Sequence, residues 1–162
     1  DGINLRPTYI GGSQENNLSP GTENIIGVYG LSLALEMSLN TAKHRSKMIT
    51  KNESTFINSL KELDLNFNIN GENRLPGILN ITFMDILSSD LVMALDIDGY
   101  AISGGSACSS GITSAPNTLV EIGLSEDLAK KSVRISFGKD ITQSTITNLA
   151  KSISTIIKNT IE

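Results

Sequence analysis

Pro76-Gly77-Ile78-Leu79-Asn80-Ile81-Thr82-Phe83 is the stretch on which the fold turns. A Pro-Gly pair punctuates the chain, and the six residues after it read as a buried strand. Just upstream, Asn70-Gly71-Glu72-Asn73 is a turn signal. Before that turn, apolar residues recur at helical spacing: Ile25, Val28, Leu31, Leu35 and Leu39, then Ile49, Phe56, Leu60 and Leu63. This predicts one long helix ending near Leu65, part of which is expected to cross between domains. Residues 1–23 are rich in Gly, Pro, Asn and Ser and read as an extended lead-in, with Thr22 as the N-cap of the helix. Downstream of the central strand, Ser88-Ser89-Asp90 is expected to cap a short helix over Leu91 to Ile97. Tyr100-Ala101-Ile102-Ser103 reads as a second strand, and Val133 to Phe137 as a third. Short helices are predicted over Asn117–Ile122 and Glu126–Lys131. Thr142 caps a final amphipathic helix carrying Ile146, Leu149, Ile153, Ile156 and Ile157. Strands separated by helices, with long helices over them, give an α/β (α+β) layered fold.

The composition restricts the classes of function. The chain has 162 residues, enough for one domain with a core of its own. Its formal net charge is −4 and no basic run stands out, so direct nucleic-acid binding is not expected. A single cysteine cannot form an internal disulfide, so nothing points to an oxidising compartment, and a cytoplasmic location is expected. No apolar run approaches a membrane span, and no membrane partner is expected. The N-terminus, Asp1-Gly2-Ile3-Asn4, lacks Met and has no targeting character, so the chain is expected to be a piece of a longer protein.

That cysteine, Cys108, lies in Gly104-Gly105-Ser106-Ala107-Cys108-Ser109-Ser110-Gly111. Structural cysteines are usually buried among apolar groups. Glycines and serines instead leave the sulfur reachable, as a reactive thiolate requires. The octet by itself is equally compatible with a half-exposed thiol of no consequence. Gly104, Gly105 and Gly111 are either hinges or ordinary turn glycines. Arg134 interrupts a strand between Val133 and Ile135 and therefore faces away from both. Its guanidinium fork suits a carboxylate, or else serves as a surface or ion-paired arginine. His44, the only histidine, sits among Lys43, Arg45 and Lys47 on a solvated helix face, so a protein-only metal site is not expected. Ser109-Ser110 has no nearby histidine base and is discounted as a nucleophile.

Three blocks carry a resemblance. They are Gly11-Gly12-Ser13-Gln14-Glu15 with Pro20-Gly21-Thr22-Glu23-Asn24, the Ser-Ala-Cys-Ser-Ser loop, and Ser132-Val133-Arg134-Ile135-Ser136-Phe137-Gly138. In this order and at these separations they resemble the C-terminal part of the NifS/IscS-like cysteine desulfurases, PLP-dependent enzymes of the class V aminotransferase family. The resemblance runs over essentially the whole chain. It implies the small C-terminal domain of a fold-type I PLP enzyme: a three-stranded sheet covered by helices, with a long interdomain helix. Residues 1–23 would be a lead-in from a large PLP-binding domain. Residues 24–162 would form the small domain, with the cysteine loop at about 104–118.

The implied reaction removes sulfur from L-cysteine, giving L-alanine and a persulfide on Cys108. Arg134 would hold the substrate carboxylate. Thr22 would reach the PLP phosphate of the other subunit of a homodimer, and Gln14 and Glu15 would shape the subunit interface. The sulfur would pass to an iron–sulfur scaffold or another acceptor protein, or into tRNA thiolation. The family's Schiff-base lysine stands in a Ser-x-His-Lys context that no lysine here shares, so this chain alone is expected to be inactive. Two positions depart from the family pattern: Ser19, where the family usually has Arg, and Ile141, where it often has Thr. A selenocysteine lyase-like relative and a non-catalytic sulfur-carrier docking module are the other readings. The final helix and the long first helix are both expected to expose apolar faces, and the isolated chain to self-associate.

Overall fold

The computed structural model describes residues 5–105, 116–138 and 140–161. They form two compact units, Asp1–Lys43 and His44–Glu162. The long helix α2 (Ile25–Glu62) contributes to both and matches the predicted helix to within a turn at its C-terminal end.

In the first unit, a single turn, α1 (Gln14–Asn17), precedes α2. Glu15 and Asn16 take left-handed φ values of 49° and 56°, and Asn17 follows at 64°. The start of α2 is capped by Asn24, whose Oδ1 accepts the Gly27 N–H at 3.0 Å. Thr22, expected to be the cap, lies two residues too early. Asn24 takes the role because its short amide reaches back over the first turn.

The sheet of the second unit is antiparallel, in the order β1-β2-β3. Its strands are β1 (Phe67–Asn70), β2 (Ile78–Phe83) and β3 (Ser132–Ser136). The expected strand count is right, but its membership needs correcting. Phe67–Asn70 pairs along β2, with Phe67 opposite Phe83 and Asn70 opposite Asn80. Tyr100–Ser103 makes only an isolated bridge, Ser103 to Arg134. Asn70 therefore closes a strand as well as opening a turn.

Side chains alternate across a strand. Leu79, Ile81 and Phe83 of β2 and Val133 and Ile135 of β3 are buried on one face. Against it pack Phe56 and Leu60 of α2, Leu91 and Leu95 of α3 (Ser88–Ile97), and the apolar stripe of α6 (Gln143–Ile161). Phe56 and Phe137 meet edge to face with ring centroids 5.6 Å apart. Each such side chain contributes about 1.5–3 kcal/mol on burial. In α6, Ile146, Leu149, Ile153 and Ile157 are spaced three or four apart and all are buried. The apolar face of this helix is thus covered, contrary to expectation, because the sheet lies against it. Thr142 does cap α6, accepting the Thr145 N–H at 3.2 Å. Ser88, Ser89 and Asp90 lie inside the first turn of α3, one turn earlier than expected, and Leu87 holds the cap position without a side-chain bond.

A buried carboxylate fixes the approach to β2. Glu53 on α2 accepts Arg74 Nη1 at 2.7 Å through one oxygen and the Gly77 N–H at 2.9 Å through the other. Gly77 has a φ of 88°, and a Cβ there would collide with Ile49 Cγ2, so only glycine fits. Two short helices, α4 (Asn117–Glu121) and α5 (Glu126–Lys130), precede β3.

The first half of α2 differs. Ile25, Ile26, Val28, Tyr29, Leu31 and Leu35 are all exposed, Ile26 by 87%. By length and composition alone α2 is long and apolar enough to cross a membrane. This corrects the sequence-based statement that no apolar run approaches such a span. The scattered Ser, Gly and Asn residues hid it, because they interrupt the run without making it charged.

Candidate active site

Arg134 stands in the middle of β3. Val133 and Ile135 on either side are buried, while Arg134 is exposed, as strand alternation requires. Among the described residues its guanidinium has no carboxylate partner. A structural ion pair, one of the two alternatives read from the sequence, is therefore not formed there.

The backbone of Arg134 is hydrogen-bonded on one edge and in register with β2 on the other. Its N–H donates to Ser103 O at 2.6 Å, and the Ser103 N–H donates to Arg134 O at 3.1 Å. On the other edge it lies in register with Asn80 of β2. The segment that leads into the cysteine loop is thus anchored on the backbone of the candidate carboxylate clamp. Beyond the anchor, the Ser103 hydroxyl donates to Gly105 O at 2.9 Å. A Cβ on Gly104 would come within 3.2 Å of Ser88 Oγ, so Gly104 allows a close approach to the first turn of α3. Cys108, Ser109, Ser110 and Gly111 lie outside the described residues.

Thr22 belongs to the first unit and is exposed. The two sequence blocks around it are built together. The Gly21 N–H donates to Gln14 Oε1 at 3.3 Å. A Cβ on Gly11 would come within 2.5 Å of Pro20 Cβ, and one on Gly12 would collide with Gln14 Oε1. Gln14, expected to shape the subunit interface, also ties Gly21 back to the Gly11-Gly12 segment. No local sequence signal shows this; the contact spans seven residues.

The donors near Thr22 bear on whether a phosphate fits. Gly21 has a φ of 123° with open space around it. At the start of α2 the Ile25 and Gly27 amides are committed to Glu23 O and Asn24 Oδ1. An exposed hydroxyl beside an open glycine fits a single phosphate contact of PLP. Covalent attachment would need the lysine context that the sequence lacks. The described residues bring together no group of three His, Cys, Asp or Glu side chains suited to a metal.

Comparison with known proteins is consistent with this arrangement. A family model described as aminotransferase class-V matches residues 5–149. The chain is 32% identical over 139 residues to a cysteine desulfurase IscS of Dictyoglomus turgidum, covering 85% of this chain and 35% of that protein. Among solved structures, a NifS-like protein superposes with a TM-score of 0.79 at 27% identity, over 98% of this chain and 40% of that one. A structure described as SspA in complex with cysteine gives a TM-score of 0.54 at 29% identity, over 82% of this chain and 35% of that one. The chain spans 42% and 35% of the length of the first two curated relatives.

Proposed function

The chain belongs to the aminotransferase class-V family, and from that premise we propose that it is the part of a cysteine desulfurase that carries the sulfur nucleophile. Relatives named as cysteine desulfurases support the activity, and the neighbour solved with cysteine supports cysteine as substrate. The observation that carries the reading is Arg134: an exposed cation between two buried strand residues, its backbone bonded to Ser103, and left without a carboxylate partner among the described residues.

In this reading Arg134 takes the substrate carboxylate bidentately and orients the amino acid. The Cys108 thiolate attacks the substrate sulfur. An S–S bond forms, and the substrate's Cβ–S bond breaks with its electron pair left on Cβ. That carbon gains a proton, giving L-alanine and a Cys108 persulfide. PLP, when bound, supplies the electron sink that makes the Cβ–S bond breakable. Thr22 donates its hydroxyl to the PLP phosphate of the other subunit in a homodimer. Residues 1–23 then lead in from a large domain holding the cofactor lysine, and residues 24–162 are the small domain. The exposed half of α2 is read as an interface within the assembled protein rather than a membrane span. The sulfur acceptor is an iron–sulfur scaffold or a tRNA-thiolation protein, in the cytoplasm.

The test is intact mass spectrometry of the full-length protein after incubation with L-cysteine and PLP, with alanine assayed in the same tube. One added sulfur on Cys108, stoichiometric alanine, and loss of both in Cys108→Ala are expected. Alanine without a persulfide, or an unaffected Cys108→Ala variant, would overturn the reading. This chain alone is expected to form neither product.

A further inference from the structure

The sheet has a second face, polar where the first is apolar. Asn70, Asn80, Thr82, Ser132 and Arg134 share it, by alternation and by register. Most of these residues are tied to one another. Asn70 Nδ2 donates to Asn80 Oδ1 at 2.6 Å and to Thr82 Oγ1 at 2.9 Å. The Thr82 and Ser132 hydroxyls lie 2.7 Å apart, and Ser132 donates to Leu128 O at 2.7 Å. Thr82 and Ser132 are each only 1% exposed. Arg134 is the member of this face whose side chain takes no part.

The geometry of the neighbouring pair follows from the bridge. In an antiparallel strand a residue's N–H and C=O point to the same edge. Both groups of Arg134 bond Ser103, so neither bonds β2. Asn80 and Arg134 are therefore a non-hydrogen-bonded pair, the closer of the two kinds, with Cα atoms about 4.5 Å apart and side chains on one face. In that position an acidic residue would pair with the guanidinium and occupy it. The residue there is an uncharged amide, and its oxygen is already engaged by Asn70.

We propose that Asn80 is a positioning residue for Arg134: an uncharged cross-strand neighbour, fixed by Asn70, that leaves the guanidinium free for the carboxylate of an amino-acid substrate. The inference rests on the role of Arg134 given above. Asn80→Asp keeps the acceptor that Asn70 uses and adds a negative charge opposite Arg134. It is the substitution that separates charge from shape.

The experiment uses the full-length holoenzyme and titration calorimetry with L-alanine and L-alaninamide, which differ in the carboxylate. Asn80→Asp is expected to weaken L-alanine by about tenfold, the scale of one lost charge-assisted contact, and alaninamide by less than about threefold. KM for L-cysteine should rise by about as much, with kcat at saturation nearly unchanged. Asn80→Ser, uncharged, should keep the preference for L-alanine to within about threefold. Equal weakening of both ligands by Asn80→Asp, no weakening of either, or an Asn80→Ser loss as large as that of Asn80→Asp would overturn the inference. Arg134→Ala separates the two levels. If it leaves the preference for L-alanine intact, the carboxylate role of Arg134 itself fails. If it abolishes the preference while Asn80→Asp does not, the inference about Asn80 alone fails.

Discussion

The helix α6 and the first half of α2 are both rich in isoleucine and leucine, and they end in opposite environments. Ile153 of α6 is fully buried, whereas Ile26 of α2 is 87% exposed. The difference lies in arrangement. The large apolar residues of α6 recur every third or fourth position with Lys, Asn and Thr between them, so one stripe finds one surface. The first half of α2 is apolar on several sides at once, as its exposed run from Ile25 to Leu39 shows. A helix of that kind suits the core of a larger body or a membrane. One helix thus contains its own instructions for packing, and the other finds no covering surface among the described residues.

Three variants can break or sharpen this contrast. Ile153→Asp places a charge against the apolar face of the sheet and should cost about 4 kcal/mol or more, enough to unfold the second unit. Loss of the cooperative thermal transition by circular dichroism is the expected result. Glu53→Ala leaves Arg74 and the Gly77 amide without their acceptor, and should cost about 2–3 kcal/mol in chemical denaturation. A cost near zero would mean that the loop before β2 is held by its glycine conformation alone. The smallest effect on stability is expected in the first half of α2. Leu31→Glu combined with Leu35→Glu should change stability by less than about 0.5 kcal/mol while reducing self-association in light scattering. If instead the cooperative transition were lost, as expected for Ile153→Asp, the two helices would not differ as described.

The same contrast explains what was legible in the sequence. The limits of β2, the long helix and α6 could be read because their patterns are local: a Pro-Gly break, helical spacing, a threonine cap. The strand β1 was missed because Phe67-Asn68-Ile69-Asn70 carries two asparagines, a residue depleted in strands, and runs into an Asn-Gly turn. Its Asn70 is accommodated by Asn80, Thr82 and Ser132, and the last of these lies 62 residues away. Tyr100–Ser103 was over-read, since only Ser103 finds a partner, and that partner is Arg134. The outward direction of Arg134 was legible from alternation. Its anchoring by Ser103 and its pairing with Asn80 were not, because both depend on strand register. The cap expected at Thr22 is instead Asn24, because the path of the chain brings the Gly27 N–H to the Asn24 amide oxygen.

The alternation of the sheet also limits how this sequence can change over time. Within β2 every position belongs to one face or the other, so a single inserted or deleted residue would turn Asn80 and Thr82 toward the core and Leu79 and Ile81 out of it. Relatives of this chain should therefore differ in β2 by substitution and not by a change of one residue in length. The segment between Gly71 and Leu75 is under no such rule, provided that an arginine still reaches Glu53 and a glycine still enters β2. Length variation among relatives should accumulate there, a few residues from a strand whose length is fixed.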